Sequence, residues 1–237
     1  MRQPMSKLIV ALDGMDPRMA LQIASELVHL QANGLWGFKI GHSLTFTGAQ
    51  WIDQLKKTGK VFVDLKLYDI PSTVEKAVDW LASLNVDLTT VHLSMGRSTL
   101  EKIADRGVGI LGVSLLTSAI PDECKRIYGG SPTETLLKLF RESNNTGITG
   151  VVCSPQDLHL LDLIDPDKNL LRVCPGIREI REDREDQKRT MTPAEAVSEG
   201  ANFLVVGRPI VEKNDYVRAA HIILNEISRV DQGIADI

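Results

Sequence analysis

The stretch that decides the fold is "VFVDLKLYDIPST", residues 61–73. Val61, Phe62 and Val63 form a β-branched and aromatic run that reads as a buried strand. Ile70-Pro71 ends the extended run. Pro71 then suits the first turn of "PSTVEKAVDWLASL", because the N–H that proline lacks has no partner there in any case. Three charges, Asp64, Lys66 and Asp69, crowd the carboxyl end of the strand.

This strand-then-helix unit recurs from end to end. Strands are predicted at 8–13, 37–41, 61–66, 88–93, 108–116, 150–154, 170–176 and 203–208. Amphipathic stretches lie between them, among them "PRMALQIASELVHL", "SPTETLLKLFRES" and "TPAEAVSEGA", and "DYVRAAHIILNEISRV" closes the chain. Strands alternating with helices argue for parallel βαβ units. A doubly wound open sheet has the same alternation, but no Gly-rich dinucleotide loop follows the first strand. The expectation is an α/β fold, a (β/α)8 TIM barrel, with residues 1–237 as one domain.

Composition narrows the function. With 43% hydrophobic and 24% charged residues the chain can bury a full core. Aromatics at 5% are too few for stacking platforms, and a net charge of -4 gives no basic footprint, so no nucleic-acid partner is expected. No apolar run reaches membrane-spanning length, and the apolar part of "MRQPMSKLIVALDG" is short for a signal peptide. Cys124, Cys153 and Cys174 stand far apart without metal-ligand spacing, which suits a reducing, cytoplasmic setting. Cys153 and Cys174 read as small packing groups, and Trp36, Trp51 and Trp80 as core or helix-packing residues.

Alternate residues of a strand share a face, so Asp64 and Lys66 are expected to point together, away from Leu65 and Leu67. They fall at the strand end where barrel enzymes place their chemistry. Asp13, Lys39 and His92 recur at the ends of the first, second and fourth strands. One such pair reads as a surface ion pair, whereas four successive polar strand ends read as a site. A lysine between aspartates keeps its proton. That favours a proton donor or a stabilising cation over a Schiff-base former, which needs desolvation or a cationic neighbour. A lone histidine such as His92 is more often a packed residue than a substrate contact.

The last two strands suggest an anion. "CPGIR" ends the seventh at Gly176 and Arg178, and "VVGRP" ends the eighth at Gly207 and Arg208, where barrels of this kind hold phosphate. The run from Arg178 to Arg189 balances five basic against five acidic residues. Most such runs are simply solvated. Its place after strand seven suggests a lid over the phosphate.

Together these residues resemble orotidine 5'-phosphate decarboxylase, and its bacterial form closely. The family pattern Asp-x-Lys-x-x-Asp-Ile-Pro/Gly-x-Thr is complete from Asp64 to Thr73, and "ALD", "FKIG", "VHLSMG", "LLTS", "GVVCS", "CPGIR", "DQKR", "MTPAEA" and "VVGRP" follow the family's order over nearly the whole chain. The resemblance implies conversion of orotidine 5'-phosphate to UMP and CO2 without metal or cofactor, in pyrimidine biosynthesis. It implies Lys66 as proton donor to C6, Asp64 beside the substrate carboxylate, and Lys39 and Asp69 completing a charge network. Asp13 and Lys39 would hold the ribose, and Thr117 the pyrimidine. Arg178, Gln187, Gly207 and Arg208 would receive the phosphate. Asp69, Ile70 and Thr73 would reach into the neighbouring site of a homodimer. The chain departs from the pattern at His42-Ser43 and in the charge density of the 178–189 loop, neither of which touches a catalytic position.

Two rival readings remain. Sugar-phosphate enzymes of the same suprafamily, such as a keto-gulonate-phosphate decarboxylase or a hexulose-phosphate synthase, share Asp-x-Lys-x-x-Asp but use Mg²⁺ on an enediolate. Ile70-Pro71 and the long loop with Gln187 speak against them. A silent nucleotide-binding protein would show a broken charge array, and this one is intact.

Overall fold

Alternation within each strand separates two apolar cores. In β1 (Lys7–Ala11), Leu8 and Val10 pack with the helices, while Ile9 and Ala11 pack inside the sheet. In β3 (Lys60–Leu67), Val61 and Val63 face the helices and Phe62 faces inward. Both faces being buried, the strands carry apolar residues on both sides, as parallel sheets require. Each fully buried Leu, Ile, Val or Phe contributes roughly 2 kcal/mol. The computed structural model describes residues 6–42, 45, 47–116, 119–178 and 190–233.

The other strands are β2 (Leu35–Ile40), β4 (Leu88–His92), β5 (Gly109–Val113), β6 (Gly150–Val152), β7 (Leu171–Cys174) and β8 (Phe203–Val206). All pair in parallel, in chain order, and β8 returns to β1 through Val10 opposite Val206 to close the barrel. The eight predicted strands are thus the eight observed, with Asp13 lying two residues beyond the end of β1. Gly150 is fixed by crowding, since a Cβ there would sit 2.3 Å from the Leu171 carbonyl oxygen. At the amino end, Trp36 meets Phe203 edge-on at 5.6 Å and the Lys60 ammonium lies 5.5 Å from the Trp36 ring centre.

Local chemistry starts several of the described helices where the sequence places them. In order they are α1 (Pro17–Leu27), α2 (Gln50–Lys56), α3 (Pro71–Ser83), α4 (Arg97–Ile103), α5 (Pro121–Tyr128), α6 (Pro132–Ser143), α7 (Leu158–Asp162), α8 (Pro193–Ser198), α9 (Arg208–Val211) and α10 (Tyr216–Asp231). Proline occupies the first turn of α1, α3, α5, α6 and α8. Ser131 with Glu134 and Thr192 with Glu195 form reciprocal caps on α6 and α8. No described helix is long and apolar enough to cross a membrane.

Cys153 and Cys174 are buried as expected, and Cys124 is buried too. Burial pushes the Cys174 thiol well above its ordinary pKa, so it stays protonated and apolar. Trp80 departs from expectation, being 44% exposed on α3 within the single chain.

Candidate active site

The inward-facing series of each strand changes character as it rises. Phe62 gives way to Asp64 on β3, Gly37 to Lys39 on β2, and Leu88 to Thr90 on β4, so polar and charged side chains take over at the carboxyl end. A cavity of about 300 Å³ opens there, lined by Asp13, Lys39, Asp64, Lys66, Arg178 and Arg208 among others. A larger recess of about 500 Å³ lies at the opposite end, beside Lys7, Lys56, Lys60 and Trp36. There Lys56 is paired with Asp87 at 2.6 Å and Lys60 lies over Trp36. Of these two cavities, the carboxyl-end one brings acids and ammonium groups together around a space for a ligand, and it is the candidate site.

Four side chains form a line of alternating charge. The Lys39 ammonium donates to Asp13 and, at 3.2 Å, to Asp64 Oδ2, which also accepts from Lys66 Nζ at 2.7 Å. Lys39 and Asp64 are each 8% exposed, so neither charge is solvated as it would be in the unfolded chain. Burial presses the Lys39 ammonium toward neutrality, but the carboxylates of Asp64 and then Asp13 outweigh it and hold its pKa above the ordinary lysine value. Burial likewise opposes ionisation of Asp64. The ammonium groups of Lys39 and Lys66, with hydrogen bonds from Lys66 and Thr90, reverse that and lower its pKa. Both ions are kept by each other.

Lys66 reaches Asp64 by a route the simple pleat does not provide. Its φ is +48°, a left-handed conformation, and β3 slips register against β4 between Val63 and Leu67. The local bulge re-aims the lysine toward Asp64 at a conformational cost of about 1–2 kcal/mol. The expectation that the two side chains share a side holds in outcome, but regular alternation is not the cause.

His92, at the end of β4, is half-buried and packs its ring 5.7 Å from that of Tyr68. Burial first, and then the nearby Lys66 charge, lowers its pKa; Asp64 offsets part of this. His92 is therefore a neutral neighbour of the array, absent from the cavity wall. Asp69 stands outside the array within one chain. It is exposed and accepts the Ile70 N–H at 2.6 Å. Ile70 (64% exposed) and Tyr68 (65%) leave apolar surface beside it, and Thr73 is exposed on the first turn of α3. Gly207 precedes α9 and lines the cavity with Arg208, while Arg178 is anchored through its backbone N–H to Met191 at 3.0 Å. Thr117, Gln187, Ser43 and residues 179–189 of the charged loop lie outside the described residues.

Thr90 was not singled out from the sequence. Its hydroxyl donates to Asp64 Oδ1 at 2.7 Å and accepts the Lys66 backbone N–H at 2.8 Å. Two-residue periodicity back from His92 puts it on the inward face, a signal that "LTTVHL" carries.

A model of the orotidine 5'-phosphate decarboxylase / HUMPS family matches residues 6–223. The chain is 38% identical to orotidine 5'-phosphate decarboxylase of Desulfosudis oleivorans, across 95% of this chain and 94% of that protein. It is 37% identical to the protein of the same name from Nautilia profundicola, across 94% and 100%. The crystal structure of orotidine 5'-phosphate decarboxylase from Lactobacillus acidophilus superposes with a TM-score of 0.77 at 30% identity, covering 94% of this chain and 99% of that one.

Proposed function

As the chain belongs to the orotidine 5'-phosphate decarboxylase / HUMPS family, we propose that it converts orotidine 5'-phosphate to UMP and CO2, as a step of pyrimidine biosynthesis in the cytoplasm. The observation that carries this reading is the alternating array Asp13–Lys39–Asp64–Lys66 in a cavity whose rim holds Arg178 and Arg208.

The chemistry follows from where charge develops. The C6–carboxylate bond breaks and its electron pair stays on C6, in the plane of the ring, where the π-system cannot delocalise it. An ammonium group beside C6 stabilises that pair as it forms. At about 4 Å and an effective dielectric near 20, the interaction is worth roughly 4 kcal/mol. Lys66 then gives C6 a proton and regains one from water. Asp64 lies beside the departing carboxylate, held in place by Lys39 and Thr90. Asp13 and Lys39 bind the ribose hydroxyls, and Thr117 the pyrimidine. Arg178, Gln187, Gly207 and Arg208 bind the phosphate, whose remote binding energy positions the ring and closes the loop.

No metal or cofactor enters this scheme. Two ammonium groups within 3.2 Å of Asp64 Oδ2 disfavour a divalent cation at that carboxylate. The exposed Tyr68 and Ile70 beside Asp69 support a homodimer in which Asp69, Ile70 and Thr73 complete the partner's site. The barrel is then the chain's one domain, doubled by symmetry.

The test is purified protein with orotidine 5'-phosphate and excess chelator, following loss of substrate absorbance and appearance of UMP. Turnover that persists with chelator supports the reading. Turnover that returns only with Mg²⁺, or none at all, overturns it.

A further inference from the structure

Opposite the β3 bulge stands a single residue. Between the pairs Val63–Thr89 and Leu67–Val91, β3 runs through Asp64, Leu65 and Lys66 while β4 supplies Thr90 alone. A bulge of this kind leaves backbone groups without ladder partners. One of them, the Lys66 N–H, finds the Thr90 hydroxyl at 2.8 Å instead of a carbonyl. That hydroxyl has one proton, and it goes to Asp64 Oδ1 at 2.7 Å. The adjacent Thr89 shows the ordinary alternative, its hydroxyl donating to the Val63 carbonyl at 2.8 Å. Thr90 is wholly buried, and its β-branched side chain has little freedom about χ1.

We propose that Thr90 is a positioning residue for the decarboxylation, its hydroxyl clamping the backbone of Lys66 to the carboxylate of Asp64. One oxygen thereby sets both members of the pair that must meet the substrate. It holds the left-handed Lys66 backbone from one side. It also fixes the carboxylate plane of Asp64, leaving Oδ2 for the two ammonium groups. The hydroxyl donates to the ionised form of Asp64 and so helps to keep its pKa low. The inference rests on the proposed function, and the variants below separate the two.

Thr90→Val keeps shape and removes the hydroxyl; Thr90→Ser keeps the hydroxyl and removes the methyl. A packing role makes Val harmless and Ser harmful, whereas the clamp makes the reverse. With orotidine 5'-phosphate, Thr90→Val is expected to lower kcat by roughly 10–100-fold, as misplacement of a reacting group does, with KM within about threefold of wild type. The acid limb of its kcat/KM profile moves to higher pH, and Thr90→Ser recovers kcat to within about threefold of wild type. A Val variant as fast as wild type, or a Ser variant as slow as Val, overturns the assignment. Wild type that is inert toward orotidine 5'-phosphate overturns the proposed function instead. Carboxylate ¹³C titration of Asp64 then decides Thr90 by itself. An upward shift in the Val variant sustains the clamp, and an unmoved titration overturns it.

Discussion

Replacing Lys66 with alanine removes the ammonium group that the proposed mechanism places against the developing carbanion. Its charge alone, at about 4 Å from C6, is worth roughly 4 kcal/mol, or about a thousandfold in rate. Loss of the positioned proton donor adds roughly 10²–10⁴-fold, so kcat should fall by about 10⁵–10⁷-fold. The fold should hardly notice. Asp64 keeps Lys39 at 3.2 Å and the Thr90 hydroxyl at 2.7 Å, and the Lys66 side chain is 36% exposed, which screens its ion pair. After that discount the pair is worth about 0–1 kcal/mol, a shift in Tm of no more than about 4 °C. Lys66→Gly is equally inactive on this reasoning but relieves the left-handed backbone at φ +48°, so it should be about 1 kcal/mol more stable than the alanine variant and melt higher. The assay is the absorbance change on conversion of orotidine 5'-phosphate, with thermal unfolding by circular dichroism on the same samples. An alanine variant that melts like wild type and keeps more than about 1% of its turnover would refute the role of Lys66. An alanine variant that melts as high as the glycine one would refute the strain at this position.

Other perturbations probe the rest of the array. Asp64→Asn leaves the buried Lys39 with Asp13 alone, which should cost about 3 kcal/mol and lower Tm by roughly 6–12 °C; a melt within about 2 °C of wild type counts against the mutual support of Lys39 and Asp64. Acidification should destabilise the protein in two stages. His92 and Asp64 both have folded pKa values below their ordinary ones, so the unfolded chain takes up each proton first. The His92 contribution is complete above its ordinary value of 6.5 and fades as pH falls from there through the folded value; that of Asp64 fades below 3.8 in the same way. His92→Gln should erase the first stage in a series of melts against pH, and a first stage that survives the substitution rules His92 out as its source. If Asp69 acts across a dimer, mixing inactive Lys66→Ala with inactive Asp69→Ala should restore activity, because each mixed dimer contains one intact site; random pairing predicts about a quarter of wild-type turnover. Mixtures that stay inactive after subunit exchange place Asp69 outside the partner's site.

Much of this protein was determined by sequence alone, because the relevant signals are local. Continuous β-branched and aromatic runs such as 61–63 mark strands buried on both faces, and proline at residues 17, 71, 132 and 193 marks where helices begin. Asp13, Lys39, Asp64 and Lys66 were legible as a set because successive parallel strands must all end at one rim, and charge at those ends has no other common explanation. Their order in the array was not legible. That Lys39 lies between Asp13 and Asp64 depends on the stagger of β1, β2 and β3 around the closed barrel. The conformation of Lys66 was hidden for a related reason. Strand periodicity predicts a shared face but contains no sign of a bulge, which arises only when β3 is paired against β4. Thr90 shows the difference most plainly: in the chain it is one of two adjacent threonines, and only the register, placing it alone opposite three residues, makes its hydroxyl the partner of both Lys66 and Asp64.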